Sequence, residues 1–197
     1  MALSQATLKS EILKVIDEDN IGFVGWPTTP VEVADNWGNA YNTYALSAED
    51  ISTDSLAVAN LSGFKSALTL LMPFDPVPGT ALLAATAFES AFIAYWTAAT
   101  FAIAVIPPPQ APVPPNNGIW APPETSSIVT AVTPAVLYPL LLAEFALNES
   151  DADIKADALA TAFHTATTTA IFTTIIGFDT TVPPAGPYPI INISTIF

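Results

Sequence analysis

The chain has 197 residues, no cysteine and a net charge of −14, with four lysines as its only strong bases against 18 carboxylates. Clustered cations bind the phosphates of nucleic acids and of anionic membranes, so this balance argues against direct binding of either. Without cysteine the chain has no disulfide, thiolate zinc site or cysteine nucleophile. An acidic surface would still let DNA pass through a channel without holding it.

Charged residues are scarce as well as unbalanced. They make up 11% of the chain, whereas hydrophobic residues make up 51%. An average soluble domain has roughly 25% charged residues. A monomer of this composition would expose much neutral or apolar surface, and large patches of that kind mark interfaces. We therefore expect contacts between copies of the chain and with other proteins.

The N-terminal part, residues 1–48, is predicted to be helical. Residues 3–18 have apolar side chains at helical spacing. A second helix has a clear start, with Thr29 as the cap, Pro30 in the first helical position and Glu32 completing a capping box.

Further helices are predicted along the rest of the chain. Asp54 is a plausible cap for a third helix, and residues 80–106 form a long, almost wholly apolar one. Residues 126–147 are predicted to be helical with interruptions. A last helix is predicted from a cap at Ser150 to about Ile176, although its β-branched second half favours a strand as much as a helix.

Proline-rich segments separate and follow these helices. Residues 107–123 contain eight prolines and are predicted to form an extended, polyproline-like connector. Residues 183–189 are a second such stretch, and residues 190–197 are predicted to be a strand or an extended arm. The residues that we expect at interfaces lie in these segments and in a loop near the N-terminus: Trp26, Pro107, Pro108, Pro109, Trp120, Ile190, Ile191, Ile193 and Phe197.

Two parts of the chain resemble each other at a spacing of 75 residues. Residues 85–88 (ATAF) recur at 160–163, and the prolines at 108–109 recur at 183–184. The repetition indicates a duplicated helix hairpin, although alanine, threonine and proline are abundant enough here for coincidence.

The predicted fold is therefore mainly α. It is a single helical domain over residues 1–197, a bundle of helix hairpins with proline-rich arms and a short C-terminal strand. The hairpin repeats would cover residues 50–109 and 124–184. An extended arm would cover residues 185–197.

No catalytic, cofactor-binding or metal-binding residue is predicted. His164 is the only histidine and has no partner nearby in sequence that would make it a base or a metal ligand. Residues 17–22 resemble the opening of a calcium loop, but the twelfth position is Thr28 instead of glutamate. A carboxylate pair of Glu89 and Glu144 is the alternative, and we expect these residues to be structural. We therefore expect the chain not to be an enzyme.

Residues 90–106 are the only candidate for a membrane span. These 17 residues contain no charge, but no lysine or arginine flanks them to set a topology. A helix buried by protein is the preferred interpretation. A small membrane protein is the lesser alternative.

The segments FESAFIAYWTAATFAIAVIPP, SSIVTAVTPAVLYPLLL and TAFHTATTTAIFTTIIGFDTT resemble small structural proteins of tailed bacteriophage virions. The resemblance covers residues 80–192. It implies a virion component of the neck, head–tail connector or tail, whose partners are copies of itself and other virion structural proteins. It transfers no functional residue.

The leading expectation for function is a ring-forming structural subunit of a virion. The alternative is a capsid-decorating or fibre-associated binding module that uses Trp26 or Trp120 as an anchor.

Overall fold

The computed structural model describes residues 3–49, 55–71, 80–102, 126–134, 136–147, 149–179, 188–194 and 196. The predicted connector at 107–123, with Pro107, Pro108, Pro109 and Trp120, lies outside the described residues, as does Phe197. The described elements, in chain order, are α1 (Gln5–Ile16), α2 (Pro30–Ala45), β1 (Ser55–Val58), α3 (Leu61–Leu71), α4 (Thr80–Trp96), β2 (Thr100–Ala102), β3 (Ser126–Thr133), α5 (Leu137–Ala146), α6 (Ala152–Thr169), β4 (Ile171–Asp179) and β5 (Tyr188–Ser194).

The helices form a closed bundle. Each of α1 to α5 packs on the helix that follows it, and α6 returns to pack on α1. The strands form one antiparallel sheet in the order β1-β2-β3-β4-β5. The prediction of a mainly helical fold with a C-terminal strand is confirmed.

Polar caps set the starts of α1, α2 and α6. The Thr29 hydroxyl accepts the Glu32 N–H at 3.2 Å, and Pro30 follows in the first turn, as predicted. The Glu32 carboxylate accepts the Thr28 N–H at 2.6 Å, and this contact is the main reason that the pKa of Glu32 is lowered. α6 is capped by Asp151 and not by the predicted Ser150, because the Asp151 carboxylate reaches two N–H groups of the first turn.

The prediction of a helix from Asp54 is wrong in its first turns. Residues 55–58 form β1, whose Leu56 is buried, and α3 starts only at Leu61. The Asn60 side chain accepts the Gly63 N–H at 2.9 Å and so acts as the cap.

The predicted helix over residues 80–106 ends at Trp96. Ala98 has φ of +66°, which turns the chain out of the helix and into β2. The Ala98 N–H bonds to the Val129 carbonyl at 2.9 Å, and the Val129 N–H bonds to the Ala99 carbonyl at 2.8 Å. The candidate membrane span is therefore broken in its middle. A run of apolar residues does not by itself distinguish a buried helix from a helix followed by a buried strand.

Two further helix predictions are corrected to strands. Residues 126–133, predicted to be helical, form β3, and α6 ends at Thr169 instead of running to about Ile176. β4 follows at once. Both segments are rich in valine, isoleucine and threonine, which pack well on a pleated surface and lose side-chain freedom in a helix.

The two parts that resemble each other in sequence have the same element order, strand–helix–helix–strand. Phe88 and Phe163, equivalent at the spacing of 75, touch edge to face with ring centroids 5.5 Å apart. Thr86 and Thr161 are also equivalent, and each donates its hydroxyl hydrogen to the carbonyl four residues earlier. The element order and these contacts agree with the predicted duplication, which stays a prediction.

Tyr41 of α2 lies at the centre of the core. The Trp96 indole N–H donates to the Tyr41 oxygen at 2.9 Å, and the Tyr41 hydroxyl lies 2.9 Å from that of Thr167. Thr167 donates onward to the Phe163 carbonyl at 2.7 Å, so Tyr41 is the donor to Thr167. Burial raises the pKa of Tyr41 well above its ordinary value and keeps this donor protonated. Its ring contacts those of Tyr44, Phe64, Phe92, Tyr95 and Phe163.

Trp96 also joins the bundle to the sheet. Its ring is parallel to that of Phe101 on β2, with centroids 6.4 Å apart, and meets Phe172 on β4 edge to face at 5.2 Å. Val129 of β3 is buried in the same core. The inner face of the sheet is therefore held by aromatic contacts at the end of α4.

We predict that Tyr41→Phe lowers the free energy of unfolding by about 1–3 kcal/mol, because it leaves the Trp96 N–H buried without an acceptor and removes the hydrogen bond that the Thr167 oxygen accepts. Urea unfolding measures the change. The matched control is Tyr138→Phe, since the Tyr138 ring packs on the same core and its hydroxyl makes no hydrogen bond to any described residue. Equal losses for the two variants would contradict the role given to the Tyr41 hydroxyl.

Candidate interaction surface

The outer face of the sheet exposes β-branched side chains. Leu56, Phe101, Val129 and Phe172 point into the core, whereas Val58, Ile128 and Ile171 are 60%, 36% and 48% exposed. Threonines lie among them, with Thr130 and Thr133 exposed on β3. This face could not be predicted, because the residues of β3 and most of β4 were predicted to be helical. The available signal was the β-branched content of SSIVTAVT, in which five of eight residues are isoleucine, valine or threonine.

The five strands carry almost no charge. Asp179, the last residue of β4, is the only charged residue in them. The other charged residues in the described part of the chain lie on the helices and their connections. Within the described residues, the charge therefore lies almost wholly on the helical side, and the strands are neutral except for Asp179.

Most of the lysines on the helical side form ion pairs. Lys9 lies 2.9 Å from a carboxylate oxygen of Asp153 and 3.7 Å from one of Asp157, and Lys65 lies 3.0 Å from one of Asp35. Lys14 pairs with Glu11 on its own helix. The remaining carboxylates have few cations left to neutralise them.

The two edges of the sheet differ. Beside β1, Glu49 forms a bridge with Ser55, and the Leu56 N–H bonds to the Ala48 carbonyl at 2.9 Å. β5 pairs with β4 on one side only, and no described residue pairs with its other side. In the described part of the chain, Ala48 and Glu49 thus lie beside the start of β1, and no segment lies beside the outer side of β5.

The C-terminal residues predicted to lie at an interface are on this open edge. Ile190, Ile191 and Ile193 are paired with Gly177, Ile175 and Thr173 of β4, respectively. Within the predicted arm at 185–197, residues 188–194 are thus a strand of the chain's own sheet. Ile196 is only 1% exposed and belongs to the core. Any interface formed here uses the outer side of β5.

Trp26 marks a second apolar surface, in the connection between α1 and α2. It is 59% exposed, its N–H donates to Glu18 at 3.2 Å, and its ring meets Phe23 edge to face at 5.2 Å. A cavity of about 320 Å³ lies beside it. Ile21, Val24 and Val31, which are near Trp26 in sequence, are exposed as well, and Val24 lines the same cavity. Trp26 is thus exposed as an interface anchor must be.

The residues that were considered as possible catalytic or metal-binding groups make hydrogen bonds within the fold. His164 Nδ1 lies 2.8 Å from the Tyr44 hydroxyl. In the segment that resembles a calcium loop, the side chains of Asp17 and Asn20 accept hydrogen bonds from backbone N–H groups of the same turn. Across the described residues, no cluster of three or more histidine, aspartate or glutamate side chains is arranged to hold a metal ion. None of the described helices has the length and hydropathy needed to cross a bilayer.

We predict that His164 makes stability depend on pH. Burial lowers the pKa of His164, so the unfolded chain binds this proton more tightly than the folded chain. The stability that neutral His164 contributes is complete above its unfolded pKa, about 6.5, and is lost as pH falls through the folded pKa. Urea unfolding at about pH 7.5 and about pH 5 should show wild type losing more stability than His164→Gln. An identical loss in both proteins would contradict this expectation.

The candidate surface is thus a neutral sheet with one open edge, set against an acidic helical bundle. Comparison with protein-family models, curated proteins and solved structures finds no match to this chain.

Proposed function

We propose that this chain is a non-enzymatic structural subunit of a bacteriophage virion, in the neck, head–tail connector or tail. The observation that carries the proposal is the separation of charge, with a neutral sheet on one side and an acidic helical bundle on the other. Such a molecule has one side suited to contact with its neighbours and one suited to solvent.

Repulsion between copies favours contact through the sheet. Each chain has a net charge of −14, so a contact between helical sides would bring carboxylates together. A contact through the outer face would bring together Ile128, Ile171 and exposed threonines instead. Burying apolar area of this kind contributes about 25 cal/mol per Å², and a stable interface needs about 800 Å² from each partner.

The assignment to a virion rests on the resemblance of residues 80–192 to virion structural proteins. The acidic helical side adds a physical argument. If that side lines a channel, its carboxylates repel the phosphates of passing DNA and prevent it from binding. The sheet would then provide the contacts that hold the ring together.

A capsid-decorating or fibre-associated binding module is the second candidate, and Trp26 is the observation that favours it. An exposed tryptophan in a segment that also exposes Ile21 and Val24 has the composition of an interaction anchor. In that case the chain would be a monomer or trimer that binds to finished particles, and Trp26→Ala would abolish the binding.

We predict that Ile171→Lys on the outer face reduces assembly of the purified chain, because it places a charge in a neutral interface. Sedimentation velocity measures the assembled mass, and electron microscopy of particles produced with the variant measures incorporation. The matched control is Ile154→Lys on α6, since Ile154 is 56% exposed on the helical side.

The expected result is loss of assembled mass for Ile171→Lys and wild-type mass for Ile154→Lys, with both chains folded by circular dichroism. The proposal is wrong if wild type stays monomeric at every concentration and does not enter particles. A monomer that binds finished particles through Trp26 would instead establish the binding module.

A further inference from the structure

We infer that β5 pairs edge to edge and antiparallel with β5 of a second copy of this chain, about a two-fold axis. The inference rests on the proposed role as an assembly subunit and names the contact and the partner. It starts from the open edge of the sheet and uses the backbone of residues 188–194.

Among the described residues, β5 is the sheet edge that has no neighbouring segment on its outer side. Ala48 and Glu49 lie beside β1, through the hydrogen bond from the Leu56 N–H and the bridge to Ser55. β5 is the last strand at the other edge and is seven residues long. An unpaired row of N–H and C=O groups of this length is a template for another strand.

β5 has none of the charged side chains that protect many natural edge strands, and its protection is limited to Pro189 and a bulge in the neighbouring β4 between Ile175 and Gly177. Its sequence, YPIINIS, contains no lysine and no other charged residue. Pro189, opposite Phe178 near one end of the strand, is its only residue without an N–H group. A strand with a neutral centre at Ile191 is suited to pairing.

The distribution of charge favours a second copy of the chain as the partner of β5. A basic protein would find its complementary surface on the acidic helices and not on a neutral strand. A second copy is repelled by those helices and can approach through the neutral sheet. The backbone of a strand is also self-complementary when it meets its own copy antiparallel, which is the isologous contact of a two-fold dimer.

The directions of the edge strands favour a two-fold contact over a head-to-tail one. In this five-stranded antiparallel sheet β1 and β5 run in the same direction. A head-to-tail contact would therefore need parallel pairing between β5 and the covered edge at β1. A two-fold contact needs β5 alone. It produces one continuous sheet with both helical bundles on the same side, and it leaves both outer faces free for the next neighbours.

The first test is Asn192→Lys, which places like charges close to each other across the strand pair. Sedimentation velocity should show loss of the two-chain species, with circular dichroism confirming the fold. The matched control is Ser55→Lys, an exposed position on β1 at the opposite edge, which should leave the two-chain species intact. Loss in both variants would support head-to-tail pairing and overturn the two-fold contact.

The second test uses the absence of cysteine in the chain, so that each introduced thiol is the only one. Single cysteines at positions 190, 191, 192 and 193 are oxidised, and disulfide-linked dimers are counted on gels. A disulfide needs Cα atoms about 4.4–6.8 Å apart, so only positions near the two-fold axis should cross-link with themselves. Ser55→Cys is the control and should form no dimer. In a head-to-tail arrangement, the Ser55→Cys chain would form dimers only when it is mixed with a chain that has its cysteine in β5.

The outcomes separate this inference from the proposed function. A wild-type mass for Asn192→Lys together with no self-cross-link on β5 overturns the two-fold contact, whereas assembly through Ile171 would still stand. Loss of dimer for Asn192→Lys with self-cross-linking near position 191 supports the inference. A wild-type chain that is monomeric and absent from particles overturns both.

Discussion

The hydrogen-bond chain through Tyr41 is the constraint on which the rest of the structure depends. It runs from the Trp96 indole through Tyr41 and Thr167 to the Phe163 carbonyl, and it joins α4, α2 and α6. Buried polar groups are costly when unpaired, so only one rotation of these three helices about their axes satisfies every member. Trp96 then fixes the sheet as well, because its ring contacts both Phe101 and Phe172.

This arrangement gives a chain with little charge two different surfaces, an acidic helical side and a nearly neutral sheet side. The apolar residues of α4 and α6 are largely used by the closed bundle, and among the described residues every carboxylate except that of Asp179 lies on the helices and their connections. Where the structure describes strand side chains, Leu56, Phe101, Val129 and Phe172 are buried in the core, whereas Val58, Ile128 and Ile171 are exposed. The outer face is nearly neutral because Asp179 is the only charged residue in the five strands. It is this side of the molecule that the proposed assembly uses.

The sequence allowed the helical part of the fold to be predicted well, because caps and spacing are local signals. The start of α2 at Pro30 and the exposure of Trp26 follow from such signals. β1, β2, β3 and most of β4 were missed, since each lies within or beside a segment whose composition suits a helix as well as a strand. Their pairing is decided by distant partners, as in the contact of Thr100 with Ile128. Ile190, Ile191 and Ile193 were predicted to lie at an interface. The outer face of the sheet could not be predicted, because it exists only once the strands have paired.

Closure of the bundle has a consequence for how the chain folds. α1 packs on α6, and the ion pair of Lys9 with Asp153 and the hydrogen bond of Gln5 to Thr161 join positions 144 and 156 residues apart. Contacts so distant in sequence require a large loop to close before they contribute stability, which slows folding. Until α6 docks, the buried side chains of α1, Leu8 and Ile12, have only part of their packing surface. An incomplete chain would therefore expose apolar side chains, and neither half of the repeat is expected to be a stable unit without the other.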